Sequence, residues 1–283
     1  METVVSSATR QVTIGDGRPT VLIGERINPT GRKALAEALK AGDLEIVRRE
    51  ALAQAQAGAD ILDVNVSTFG ADETRLLPEV VRLLMDTVDL PLCLDTAGPV
   101  ALEQALKVYR GKPLVNSVTG EEKSLATVLP LVKQYGAAVI GLVQDEAGIP
   151  TNAERRVAIA HKIVERAQAT GIPRDDIVID CLALAVGADP GSGLAVVEAI
   201  RRVRAELGVN VVVAASNVSF GLPDRRMLNN AFVAAAVTAG ATCVIADVAQ
   251  VRPAVLAADL IAARDKRARR YIQAYRQRQA PRE

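Results

Sequence analysis

The chain predicts a single-domain α/β fold, a (β/α)8 TIM barrel, on three observations. Eight short β-type runs alternate with stretches of helical period along its length. Its 283 residues suit a barrel, which takes about 250. The core has to be aliphatic, because 49% of residues are hydrophobic, only 2% are aromatic and tryptophan is absent. Ala, Val, Leu and Ile are what parallel strands buried on both faces require.

Residues 1–19 read as an N-terminal extension, and the barrel is expected over 20–272. The strands follow in order: TVLIGE (20–25), ILDVNV (61–66), LCLDT (92–96), LVNSV (114–118), AVIGLV (138–143), IVIDCL (177–182), VVVAASN (211–217) and CVIADV (243–248). Helices fill the gaps with their own start and stop signals. Asp43 can cap the stretch that ends at Gly58, and Asn152 precedes one that ends at Gly171. Ser192 is placed to cap a helix stopping at Gly208, and MLNNAFVAAAVTAG ends on Gly240. PAVLAADLIAARDKRARRYIQAY reads as one closing helix, leaving 273–283 as a C-terminal tail. An open doubly wound sheet is the competing fold. It would want a glycine-rich phosphate turn after the first strand, and GERINPTGRK contains neither GxGxxG nor GxxxxGK[ST].

In such a barrel the active site lies at the C-terminal ends of the strands, so their last residues carry the functional information. Those residues are Glu25 and Asn28, Asp63 and Asn65, Asp95, Asn116, Gln144 and Asp145, Asp180, Ser216 and Asn217, and Asp247. A lone Asp or Asn after a strand is commonly a helix cap or an Asx turn. Here they stand inside apolar strand signatures, where a carboxylate without partners costs several kcal/mol. Such a rim suits a ligand rich in N–H donors and ring nitrogens, and is a poor site for phosphate. The loops after the last two strands, VSFGLPDRR and AQVRPAV, also lack the paired glycines of a phosphate site.

Composition excludes several other classes. A net charge of +1 gives no basic footprint for nucleic acid or a membrane surface. Cys93, Cys181 and Cys243 are far apart, which speaks against a disulfide framework and against a metal site bound by this chain. Cys181 reads as a small buried hydrophobe. The single histidine, His161, sits mid-helix in RVAIAHKIV and reads as a surface or packing residue, so a Ser–His or Cys–His nucleophile is not expected. The N-terminus has no signal-peptide pattern, and no 18-residue uncharged apolar run occurs, so a cytoplasmic protein is expected.

The motifs IGERINPTG, LDVNV, LCLDT, VNSV, VIDCL and SNVSFGLPDRRMLN occur in this order on these strands. Together, from about Val21 to Ala263, they resemble the pterin-binding methyltransferases. That family comprises the methyltetrahydrofolate:corrinoid protein methyltransferases of acetogens and demethylating bacteria, and the folate domain of cobalamin-dependent methionine synthase.

The resemblance implies that tetrahydrofolate or methyltetrahydrofolate is the substrate, and that the corrinoid (cobalamin) is carried by a separate protein meeting the barrel mouth. It also implies a homodimer. By the same resemblance Asp95, Asn116 and Asp180 bind the pyrimidine edge of the pterin, and Asn217 lies beside N5. Asp180 and Asn217 are then the catalytic pair, while Glu25, Asn28, Asp63, Asn65, Ser216 and Arg225 complete the pterin shell. No DxHxxG corrinoid signature and no adjacent cysteine pair for zinc is present. After VID, relatives often carry Pro-Leu where this chain has Cys181-Leu182, a departure beside the ligand. Two alternatives stand: a dihydropteroate synthase-like enzyme on the same barrel, and a folate-binding subunit without turnover.

Overall fold

The computed structural model describes residues 1–279. Eight parallel strands close into a barrel: β3 (Val21–Ile27), β4 (Ile61–Val64), β5 (Leu92–Asp95), β6 (Leu114–Thr119), β7 (Ala138–Leu142), β8 (Ile177–Asp180), β9 (Asn210–Ala214) and β10 (Cys243–Ala246). Each pairs with the next in sequence and β10 pairs back onto β3. The outer layer comprises α1 (Lys33–Ala41) and α2 (Glu45–Ala57) after β3, then α3 (Glu73–Thr87), α4 (Pro99–Val108), α5 (Glu122–Tyr135), α6 (Ala153–Ala169), α7 (Ser192–Glu206), α8 (Arg225–Ala239) and α9 (Val248–Ile261). Among the described residues no helix is long and apolar enough to cross a membrane.

Side chains alternate across a strand, so every second residue points into the barrel. Val21 and Ile23, Ile61, Cys93, Leu114, Ala138 and Ile140, Val178, Val212, and Cys243 and Ile245 pack together there. Continuing each strand in the same phase toward its C-terminal end brings up Glu25, Asp63, Asp95, Asn116, Asp180 and Asp247. The interior is therefore apolar below and changes to carboxylates and a carboxamide one layer higher.

The expected extension over 1–19 carries an antiparallel hairpin, β1 (Glu2–Ser6) and β2 (Gln11–Gly15). Val5, Val12 and Ile14 join the interior cluster from below, closing the N-terminal end of the barrel. Asn210, at the start of β9, ties the plug down by donating to Thr3 Oγ1 at 2.9 Å and to the Ile14 carbonyl at 3.1 Å.

Three local expectations are corrected. The strand read over 211–217 stops at Ala214, and Ala215–Asn217 form a 3₁₀ turn that swings the chain outward. Ser192 does not cap α7: it is the first helical residue, buried, with its hydroxyl on the Leu184 carbonyl. The closing helix is two helices, α9 and α10 (Arg269–Gln279). The break falls at Ala263, which adopts a left-handed φ of 58°. Asp265 restarts the helix by accepting the Arg270 and Tyr271 amides. Of the tail expected over 273–283, residues 273–279 continue α10, and 280–283 lie outside the described residues.

Candidate active site

The inward-facing polar layer pairs amides with acids. Asn65, just past β4, donates from Nδ2 to Asp95 Oδ2 at 3.0 Å, and Asn116 on β6 donates to Asp63 Oδ1 at 3.1 Å. A carboxylate only accepts, so each amide turns its NH2 group to its acid. Asn116 then has its carbonyl oxygen and its second N–H left for the lumen. Asn65 Oδ1 is spent on the Ser67 amide.

Burial governs the charge of this layer. Asp180 is only 5% exposed and its carboxyl is pushed up to about 6, mainly by desolvation; the Leu182 amide, which donates to Oδ1 at 2.7 Å, pulls the other way. Asp95 is likewise pushed to about 6 by burial, opposed by the Asn65 hydrogen bond and reinforced by nearby Glu73. Asp63 is driven well above the usual range by burial and by the adjacent Asp95 charge. Glu25 is raised by burial and by Asp247, although the Ser216 hydroxyl donates to it at 2.5 Å. Asp95 and Asp180 thus sit where desolvation holds their protons close to neutral pH, which is characteristic of functional carboxyls.

A cavity of about 470 Å³ opens at the mouth on the β3–β9–β10 side, lined among others by Glu25, Arg26, Asn28, Ser216, Asn217, Arg225, Asn229 and Asp247. Asn217, at the end of the 3₁₀ turn, is exposed, and its carboxamide has no protein partner among the described residues. Asn28 uses its side-chain oxygen in an Asx turn to the Thr30 amide. Arg225 opens α8 but folds back onto the turn, donating to Ser219 Oγ at 3.0 Å and to the Ser216 carbonyl at 2.7 Å. It thereby holds Asn217 from behind.

All ten expected site residues, Glu25, Asn28, Asp63, Asn65, Asp95, Asn116, Asp180, Ser216, Asn217 and Arg225, lie at the C-terminal end of the barrel. Asp145 turns away and pairs with Arg155 at 3.1 Å. His161 lies on the outer helical layer with Nε2 3.4 Å from Glu206. Cys181 is fully buried and burial pushes its thiol far up, so it is no thiolate nucleophile. Among the described residues no group of three or more His, Cys, Asp or Glu side chains is placed to hold a metal ion.

Sequence reasoning passed over Arg156, which is fully buried against the carbonyls of Pro150 and Cys181 at 3.0 Å each. The signal was present: Arg156 shares its helical stripe with Ala160, Ile163, Val164 and Ala167, all buried. Gln54 was missed too. Its side chain crosses Gly24 and accepts the Arg26 amide at 2.9 Å, and a Cβ at Gly24 would collide with it.

The lumen thus presents acceptors, namely Asp95, Asn116 Oδ1 and Asp180, matching a flat edge of N–H donors such as an aminopyrimidine. The class of protein is therefore a (β/α)8 barrel with an acceptor-rich lumen at its C-terminal end. Residues 24–247 match the family described as "Pterin binding enzyme", and the chain belongs to that family. It is 30% identical over 267 residues to the methylcorrinoid:tetrahydrofolate methyltransferase of Eubacterium limosum, covering 91% of this chain and 96% of that protein. It is also 30% identical to the methionine synthase of Mycobacterium tuberculosis, over 89% of this chain but 22% of that much longer protein. The dihydropteroate synthase of Xanthomonas albilineans superposes with a TM-score of 0.70 at 22% identity, over 92% of this chain and 98% of that one. The last likeness shows the barrel alone.

Proposed function

We propose that this protein is a methyltransferase that moves a methyl group between N5 of methyltetrahydrofolate and the cobalt of a separate corrinoid protein. One observation carries this assignment: inward acceptors fit for a pterin edge occupy the C-terminal end of the barrel, and at that same end the exposed carboxamide of Asn217 has no protein partner among the described residues. Asp95, Asn116 and Asp180 accept the pyrimidine N–H groups and fix the ring. Asn217 then meets N5. As the methyl–N5 bond breaks, its electron pair stays on nitrogen, which takes a proton from solvent at the open mouth. A neutral carboxamide stabilises that change in the transition state more than in the ground state, and so acts on kcat rather than on affinity. The corrinoid supplies the group that takes or gives the methyl, and this chain's residues orient the pterin for it.

The mouth also supports a protein partner. Phe69 is 95% exposed, Leu194 78%, Phe220 71% and Met227 63%, and all four lie in loops or first helical turns beyond the strand ends. An apolar rim around a polar centre fits a docked protein better than a small solute. Dihydropteroate synthase chemistry fits less well. Pyrophosphate wants cations at the late strand ends, where this chain has Ser216, Asn217 and Asp247.

The test is anaerobic: mix the protein with methyltetrahydrofolate and chemically reduced cob(I)alamin, and follow the cobalt spectrum. Methylcobalamin formed faster than in a protein-free control is the expected result. Asn217→Ala should cut the rate far more than pterin affinity, whereas Asp180→Ala should lose both. Tight pterin binding with no transfer to free cobalamin or to any corrinoid protein would leave a folate-binding subunit. No pterin binding would overturn the assignment.

A further inference from the structure

We propose that Arg156 is a positioning residue that acts on Asp180 through one peptide unit. The peptide joining Cys181 to Leu182 is gripped at both ends: its carbonyl oxygen accepts from Arg156 Nη1 at 3.0 Å, and its N–H donates to Asp180 Oδ1 at 2.7 Å. A cation on the oxygen of a planar amide withdraws electron density toward that oxygen and makes the N–H a stronger donor. The chain guanidinium, peptide, carboxylate is therefore a short relay of positive charge to the acid at the pterin edge.

Three further features support the relay. Arg156 is completely buried, yet it forms no ion pair with a carboxylate among the described residues. Two of its nitrogens serve the Pro150 and Cys181 carbonyls, while Nη2 has no partner among the described residues. A buried cation with only carbonyl partners is costly, so it needs a counter-charge acting through space. The groups around it are Asp180 at the end of β8, Asp189 in the following loop and the neutral Cys181 thiol. Around Asp180 itself, Arg156 is the cation, and the thiols of Cys181 and Cys243 are the other titratable neighbours.

Leu182, which contributes the donated N–H, has a left-handed φ of 55°, unfavourable for a side chain with a Cβ. The strained turn persists because both ends of the peptide before it are tied. Through Pro150 and Cys181 the same guanidinium also fastens the loop after β7 to the loop after β8. The departure at Cys181-Leu182 lies in the middle of this relay.

The importance of Asp180 for substrate rests on the function proposed above, but its titration does not, so the two can fail separately. Asp180 is followed in ligand-free protein by ¹³C-carboxyl NMR, its signal assigned with Asp180→Asn. In Arg156→Met the midpoint should rise by about one unit, a tenfold change in proton affinity, with Arg156→Lys in between. Thermal unfolding supplies a second handle if Arg156→Met folds poorly: Arg156→Met should cost less in an Asp180→Asn background than alone. An unmoved midpoint together with equal costs in the two backgrounds would reduce Arg156 to a structural tie. If the midpoint moves but no variant or wild type binds a pterin, the relay stands and the proposed function falls.

Discussion

Replacing Asp180 by Asn should make the protein more stable and less able to bind its ligand, and the gain should depend on pH. The carboxyl is pushed from 3.8 to about 6 in the folded protein. Its proton is held more tightly folded than unfolded, so ionisation favours unfolding. The penalty is absent below about pH 4, grows through the interval and is complete above about pH 6. Two units correspond to about 3 kcal/mol. Asparagine keeps an oxygen for the Leu182 amide, and the benefit of the charge in that bond is already contained in the raised value. The net gain at pH 8 is about 3 kcal/mol, or roughly 6–12 °C in Tm for a domain of this size. Urea or thermal unfolding of both proteins at pH 4, 5, 6 and 8 measures it. A difference that stays constant across this range, or a loss of stability at pH 8, would refute the claim that desolvation dominates the site.

Two other outcomes follow from the same layout. Pterin affinity should fall as the pH drops through 6, because Asp95 and Asp180 both titrate at about 6 and must be carboxylates to accept N–H groups. At pH 5 each costs roughly tenfold, about a hundredfold together, and calorimetric titration between pH 5 and 8 reads it. Ile14→Ala should cost about 3 kcal/mol in urea unfolding, since the side chain is fully buried in the N-terminal plug; a cost below about 1 kcal/mol would mean the hairpin is loosely seated.

Much of this was legible in the sequence, because the barrel is periodic. Strand phase alone puts Glu25, Asp63, Asp95, Asn116 and Asp180 on the inward face, since each stands two residues after a core position. The hairpin was not legible. Glu2–Ser6 and Gln11–Gly15 are short strands whose burial comes from closing a barrel made by residues far along the chain. Asn217 was legible as a strand-end residue, and the resemblance supplied only its role beside N5, but its place in a 3₁₀ turn was hidden by the apolar run leading into it. The break at Ala263 was invisible because Ala-Ala-Arg has good helix propensity, and the chain breaks there to let Arg264 reach the Thr20 hydroxyl and the Ala241 carbonyl.

The carboxylate layer also explains why the amides are where they are. Of the five inward acids, burial raises the proton affinity of four, Glu25, Asp63, Asp95 and Asp180. Left alone, such a group would sit protonated and offer hydroxyl donors to a ligand that also donates. Asn65 on Asp95, Asn116 on Asp63, Ser216 on Glu25 and the Leu182 amide on Asp180 each add a hydrogen bond that favours the ionised form. Desolvation and hydrogen bonding thus work against each other, and for Asp95 and Asp180 the balance lies near pH 6. At neutral pH these two acids are acceptors, yet they remain close enough to titration for a bound N–H edge to tip them fully. On the proposed function, the stability lost by burying charge is the cost of keeping the lumen ready for a donor-rich ring.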